Sequence, residues 1–201
     1  MSYSAARVLD VDRYPFVVAA ARAASDVARK IDPASFSTPT PCPEFDVRTL
    51  ANHLIWSLHI AVYAARKQPV PAELTEQRDY TAEGWPDVFT RTVDEQVRAW
   101  ADPAAWEGTT TFGGAELPAA FAGDLSWSDL IVHSWDLAVA TGQRLDVPED
   151  LASAAYEILA GIAKMGRDMG FYGPEVAVPE DAPALDRVLA VTGRDPAWRP
   201  A

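Results

Sequence analysis

The 201-residue chain holds 29 acidic against 17 basic residues, a formal net charge of −12, so its surface repels phosphate backbones and argues against a nucleic-acid or anionic-membrane partner. A hydrophobic content of 49% supplies one core, so residues 1–201 read as a single domain; the lone Cys42 excludes an intrachain disulfide and a multi-cysteine zinc site. Residues 1–12 are polar and charged, without the apolar centre of a secretory leader, and no apolar run approaches the roughly 20 residues that span a bilayer, so a cytoplasmic protein is expected.

The elements in chain order are helices, with one exception. Residues 14–31 place Phe16, Val17, Ala20, Ala24, Val27 and Ile31 at helical spacing before Asp32-Pro33 ends the pattern. A proline-rich connection, residues 37–43, leads to Asp46, an N-cap for a second helix reaching about Lys67 with Leu50, Leu54, Leu58, Ala61 and Ala65 as its apolar stripe. Residues 68–83 read as a long polar loop. A third helix starts near Pro86, carries Val88, Phe89, Val93, Val97 and Trp100, and stops at Asp102-Pro103. Around Gly113-Gly114, residues 109–117 suggest a small β-hairpin. Pro118 opens a fourth helix that ends at Thr141-Gly142, a fifth spans about residues 148–169, and a short amphipathic helix covers residues 185–191. Long amphipathic helices joined by proline-marked connections predict an all-α, four-helix bundle (core about residues 12–144) with a helical extension over about 145–201.

The chemistry concentrates in the fourth helix. Asp129 and His133 are four residues apart, on one face and one turn apart, and Asp136 continues the stripe between Leu125 and Val132 on one side and Leu130 and Leu137 on the other. A polar stripe flanked by apolar residues faces the core, where charge must be paired or bound to a metal, and no basic residue stands nearby in the sequence to neutralise Asp129 or Asp136. His53, at the edge of the second helix's apolar stripe, can face the same interior; His59, about 120° around that helix, is expected to see solvent. Two imidazoles and a carboxylate suit a divalent metal with a position open to water or substrate. The same spacing also occurs as a surface pair or as a core histidine satisfied by hydrogen bonds. Asp136 reads as an acceptor for a ligating imidazole, or as a fourth ligand. Cys42 lies just before a helix N-terminus but between prolines, and reads as structural; Trp56, Trp127 and Trp135 read as packing residues that can wall a pocket. Arg194 reads as solvated or as capping a helix end, with the binding of an anionic substrate as the alternative.

Three motifs carry a resemblance. Thr40-Pro-Cys-Pro-Glu-Phe-Asp-Val-Arg-Thr-Leu-Ala-Asn-His53-Leu, His133-Ser-Trp-Asp-Leu-Ala-Val-Ala-Thr-Gly142 and Leu189-Ala-Val-Thr-Gly-Arg-Asp-Pro196 resemble, in order, signatures of DinB-like proteins of the actinobacterial branch related to the N-terminal domain of mycothiol-dependent maleylpyruvate isomerase. The resemblance implies an up-down-down-up four-helix bundle and a divalent metal held by His53, Asp129 and His133; the family's carboxylate is often Glu, and here it is Asp129. It further implies zinc, with nickel or iron(II) as alternatives, and mycothiol as cosubstrate. A second domain contributes in the isomerase, and this chain is expected to lack a full equivalent. The function that follows is a thiol S-transferase or isomerase acting on a small electrophile, as a monomer or homodimer. A metal-dependent hydrolase or a non-catalytic binding bundle are the alternatives.

Overall fold

The computed structural model describes residues 12–76, 78–82 and 84–200; the reading of residues 1–12 lies almost wholly outside them, as does Glu83 at the end of the expected loop. Six helices and one hairpin follow the expected order: α1 (Tyr14–Ala28), α2 (Val47–Ala65), α3 (Trp85–Trp100), β1 (Thr109–Phe112), β2 (Ala115–Pro118), α4 (Ala119–Ala140), α5 (Glu149–Asp168) and α6 (Ala184–Val191). Asp46 caps α2 as its sequence position predicts, its Oδ1 accepting from the Thr49 amide at 2.8 Å. The hairpin pairs Thr109 with Pro118 and Phe112 with Ala115. Pro118 thus ends β2 and caps α4, instead of serving as the first helical residue. Within the loop after α2, Ala72–Leu74 forms one short 3₁₀ turn.

Side-chain pairs fix the helix directions. Arg13 and Phe16 at the start of α1 meet Asp124 and Trp127 early in α4, while Gln143 just beyond α4 donates to the Val27 carbonyl at the end of α1. These two helices therefore run parallel. Arg48 and Asn52 at the start of α2 bond Asp79 and Thr81, just before α3, and Arg66 beyond the end of α2 pairs with Glu95 near the end of α3. The loop between α2 and α3 must then run back the length of α2, and α2 and α3 are parallel too. Thr110, whose strand leads into the start of α4, donates its hydroxyl to the Ala64 carbonyl at the end of α2, so α2 runs opposite to α4 and α1, and the result is an up-down-down-up bundle. In it α1 and α2 each pack on α3 and α4, and α5 and α6 lie against each other with α5 on α4.

Helix α4 is covered by α1, α2, α5 and the hairpin, and its buried residues circle the whole axis from Ala119 to Ala140. Any polar group that a helix so covered carries inward must find a partner within the protein. Close packing against the end of α3 and the turn after it requires Gly123: a Cβ there would stand 2.5 Å from the Trp106 ring and 2.8 Å from that of Trp100.

Candidate metal centre

His53, midway along α2, and Asp129 and His133, one turn apart on α4, offer one donor atom each within 4.8 Å of one another. The imidazole rings of His53 and His133 meet edge to face at 5.2 Å between centroids, with Phe45 stacked on the other side of His53 at 5.2 Å. Asp129 Oδ1 lies 3.6 Å from His133 Nε2, and the Asp129 side chain is 41% exposed, so it forms the solvent-facing member of the group. The expected inward stripe thus runs from half-exposed Asp129 through buried His133 to Asp136, which has no exposed surface.

Asp136 sits on the far side of the His133 ring, its Oδ2 3.0 Å from Nδ1. An ionised Asp136 accepts a proton-bearing Nδ1 and leaves Nε2, the nitrogen facing Asp129, as a lone-pair donor. The expectation that no basic residue neutralises this stripe is corrected by Arg194. Arg194, which the sequence placed in solvent or at a helix end, is buried; its Nη2 donates to Asp136 Oδ2 at 3.1 Å and its Nε to Oδ1 at 3.4 Å. Its Nη1 also donates to the carbonyl of Thr192, the residue closing α6, so the capping half of that expectation holds. Burial works to raise the Asp136 pKa, but the His133 hydrogen bond and the Arg194 charge outweigh it and hold the carboxyl below the ordinary carboxylate range. Burial, followed by the neighbouring His133, lowers the His53 pKa and favours the neutral imidazole, which is the ligating form.

Cys42, His133 and Asp136 form a second group of comparable closeness. Its chemistry is poor for a metal, because Asp136 is already taken up by Arg194 and His133. Burial moreover pushes the Cys42 thiol up to about 11, against the lowering effect of Arg194, so it stays protonated near neutrality. His59 differs from expectation: instead of standing in solvent it is half buried, 6.0 Å from the Tyr80 ring, and burial lowers its pKa. It does, as expected, stay out of the group with His53. Trp127 and Trp135 are core residues, and Trp56 walls a cavity.

Two cavities meet at His53 and Asp129. One, about 520 Å³, has a mixed lining and runs between the loop at Cys42–Phe45, His133 and the turn at Thr192–Arg194; the other, about 350 Å³, is almost wholly apolar and lies between α2, the hairpin, α4 and α5. Both are bordered by Phe171 and Tyr172, which the sequence reading missed. Burial, with Asp129 nearby, pushes the Tyr172 hydroxyl up to about 12. Two glycines seat this strap. A Cβ on Gly166 would stand 2.4 Å from the Tyr172 ring, and one on Gly193 would stand 2.7 Å from the Gly173 backbone. The only hint in the sequence is the glycines themselves, which do not say what they touch.

Residues 17–138 match the family described as the mycothiol maleylpyruvate isomerase N-terminal domain. The chain belongs to that DinB-like family. Proteins of similar sequence include uncharacterized proteins of two strains of Mycobacterium tuberculosis, each 28% identical over 160 residues, covering 78% of this chain and 83% of the relative. Among solved structures the crystal structure of the mycothiol-dependent maleylpyruvate isomerase shares the fold at TM-score 0.59 and 18% identity, over 94% of this chain and 84% of that one. A mutant of the same enzyme aligns at TM-score 0.57 and 17% identity. The shared fold extends well beyond the residues matched by the mycothiol maleylpyruvate isomerase N-terminal domain family, into the helical extension after residue 144.

Proposed function

We propose that the protein is an enzyme of low-molecular-weight thiol chemistry, a mycothiol-dependent S-transferase or isomerase, with His53, Asp129 and His133 holding a divalent ion, zinc before nickel or iron(II). The observation that carries this reading is the position of these side chains where two cavities meet, one almost wholly apolar and one with more polar groups in its lining, so that a thiol and a carbon electrophile can approach one point from two sides. Family membership and the fold shared with the mycothiol-dependent maleylpyruvate isomerase support mycothiol as the thiol. A divalent ion bound there supplies thiolate at neutral pH, because a coordinated sulfur is far more acidic than a free one.

The protein's own residues prepare that centre. Asp136 fixes the tautomer of His133 and leaves Nε2 as the nitrogen that would hold an ion; Arg194 keeps Asp136 ionised in a place where burial alone would protonate it. Half-exposed Asp129 adds the negative charge a divalent ion needs and leaves one side of the centre open to a ligand. Cys42, held protonated, is not the nucleophile, so the reacting sulfur comes from the bound thiol.

Protein purified without chelator should carry a stoichiometric divalent metal. His133→Ala should lose most of it while keeping its helical circular dichroism. Mycothiol conjugation to a panel of electrophiles should stop on chelation, return with zinc, and persist in Cys42→Ser. Full metal occupancy in His133→Ala, activity that survives chelation, or activity lost with Cys42 would each overturn the reading.

A further inference from the structure

The apolar cavity has a chemistry of its own. Its walls include Phe112, Phe121, Leu125, Leu159 and Ile162, and among its described lining residues there is no Lys or Arg; Asp129 is the one carboxylate. Met165, Met169 and Phe171 line it as well, exposed by 37%, 59% and 68%, and they are three of the four large hydrophobic side chains that the described residues leave exposed. Exposed apolar groups gathered at one cavity mark a ligand route, whereas scattered ones need no explanation. The larger cavity offers no unpaired guanidinium or ammonium either: Arg194, the one Lys or Arg among its described lining residues, is already bound to Asp136. A carboxylate seated in the apolar cavity, away from His53 and Asp129, would lose its hydration without gaining a cationic partner.

We propose that the apolar cavity takes the non-reacting end of an uncharged apolar substrate, an alkyl chain or a single aryl ring, and discriminates against dicarboxylates. The volume of about 350 Å³ lies at the small end of ligand cavities, roughly 300–1,000 Å³, which fits one chain or ring rather than a fused ring system. That the occupant is a substrate rests on the thiol-transfer reading above; that the cavity binds apolar ligands does not.

The test separates the two. Binding of the neutral single-ring dye 4-(dimethylamino)benzonitrile is followed by fluorescence in chelated and zinc-loaded protein, with displacement by butanol through octanol and by maleate. Affinity should rise about fourfold per methylene, the factor that burial of one CH₂ gives, and maleate should displace nothing. Ile162→Glu should abolish dye binding, whereas Val18→Glu on α1, exposed and outside the cavity, should leave it unchanged. Should Ile162→Glu fail to fold, Met165→Glu at the exposed edge should weaken binding at least tenfold. Absence of dye binding, a flat chain-length series, or displacement by maleate ahead of octanol would overturn the proposal. A chain-length series that holds while mycothiol transfer fails with every electrophile sustains the apolar site and removes the thiol reading. Transfer confined to dicarboxylates, with no apolar binding, does the reverse.

Discussion

Asp136 has no exposed surface and still titrates below an ordinary carboxyl, because a histidine three residues away and an arginine 58 residues away both point at it. Removing one partner of such a buried pair leaves an uncompensated charge. Arg194→Met should therefore destabilise the fold by about 3–5 kcal/mol, and the double variant Arg194→Met/Asp136→Leu should recover much of that loss, both read from urea midpoints. A double variant no more stable than the single one would show that Arg194 acts through packing and not through charge. His59 gives the pH counterpart. Burial lowers its pKa below the usual value of about 6.5, so beneath that pH the unfolded chain takes up a proton that the folded chain resists. Its contribution is complete above the unfolded value and is lost as the pH falls toward the folded one. His59→Gln should flatten part of the decline in urea midpoint between about pH 7 and 5 without changing metal content. Loss of metal in that variant would mean that His59, not His53, is the ligand.

At the level of elements, the centre depends on a strap between α5 and α6. Gly193 has φ +82°, where an L side chain is strained, and a Cβ there would press on the Gly173 backbone, which has nowhere to move cheaply. Gly193→Ala should cost about 1–3 kcal/mol and loosen Tyr172 over both cavities, seen as faster proteolysis within residues 169–175. The opposite sign is expected at Gly161, which lies in the exposed face of α5, where an added Cβ would meet nothing within 4 Å. Gly161→Ala should stabilise by about 0.5–1 kcal/mol through helix propensity alone. Equal effects at the two glycines would remove the case for a packed strap.

For the whole molecule, the up-down-down-up order places α4 where α1, α2, α5 and the hairpin all cover it, and carries Asp129, His133 and Asp136 into the interior on that one element. Its backbone amides should exchange with deuterium only through global opening, while the edge of α5 near Met169 and the loop after α2 exchange by local fluctuation. Rapid exchange in the middle of α4 would mean that the centre sits on a labile helix and is assembled by its ligand.

Helix periods and end signals are local, so the number of helices, the Asp46 cap and the hairpin were legible in the sequence alone. The Asp129–His133 pair was legible for the same reason, since four residues on a helix is one turn wherever the helix lies, and the stripe on α2 put His53 rather than His59 on the inner side. What the tertiary structure decided are relations without a period. Arg194 reaches Asp136 across 58 residues, His59 is covered by a loop whose path no local signal specifies, and Tyr172 is seated by glycines on two other segments. The two cavities that meet at His53 and Asp129 belong to the same class. They are spaces between elements, and a cavity is set by how faces pack against one another, which residue order along a single face does not record.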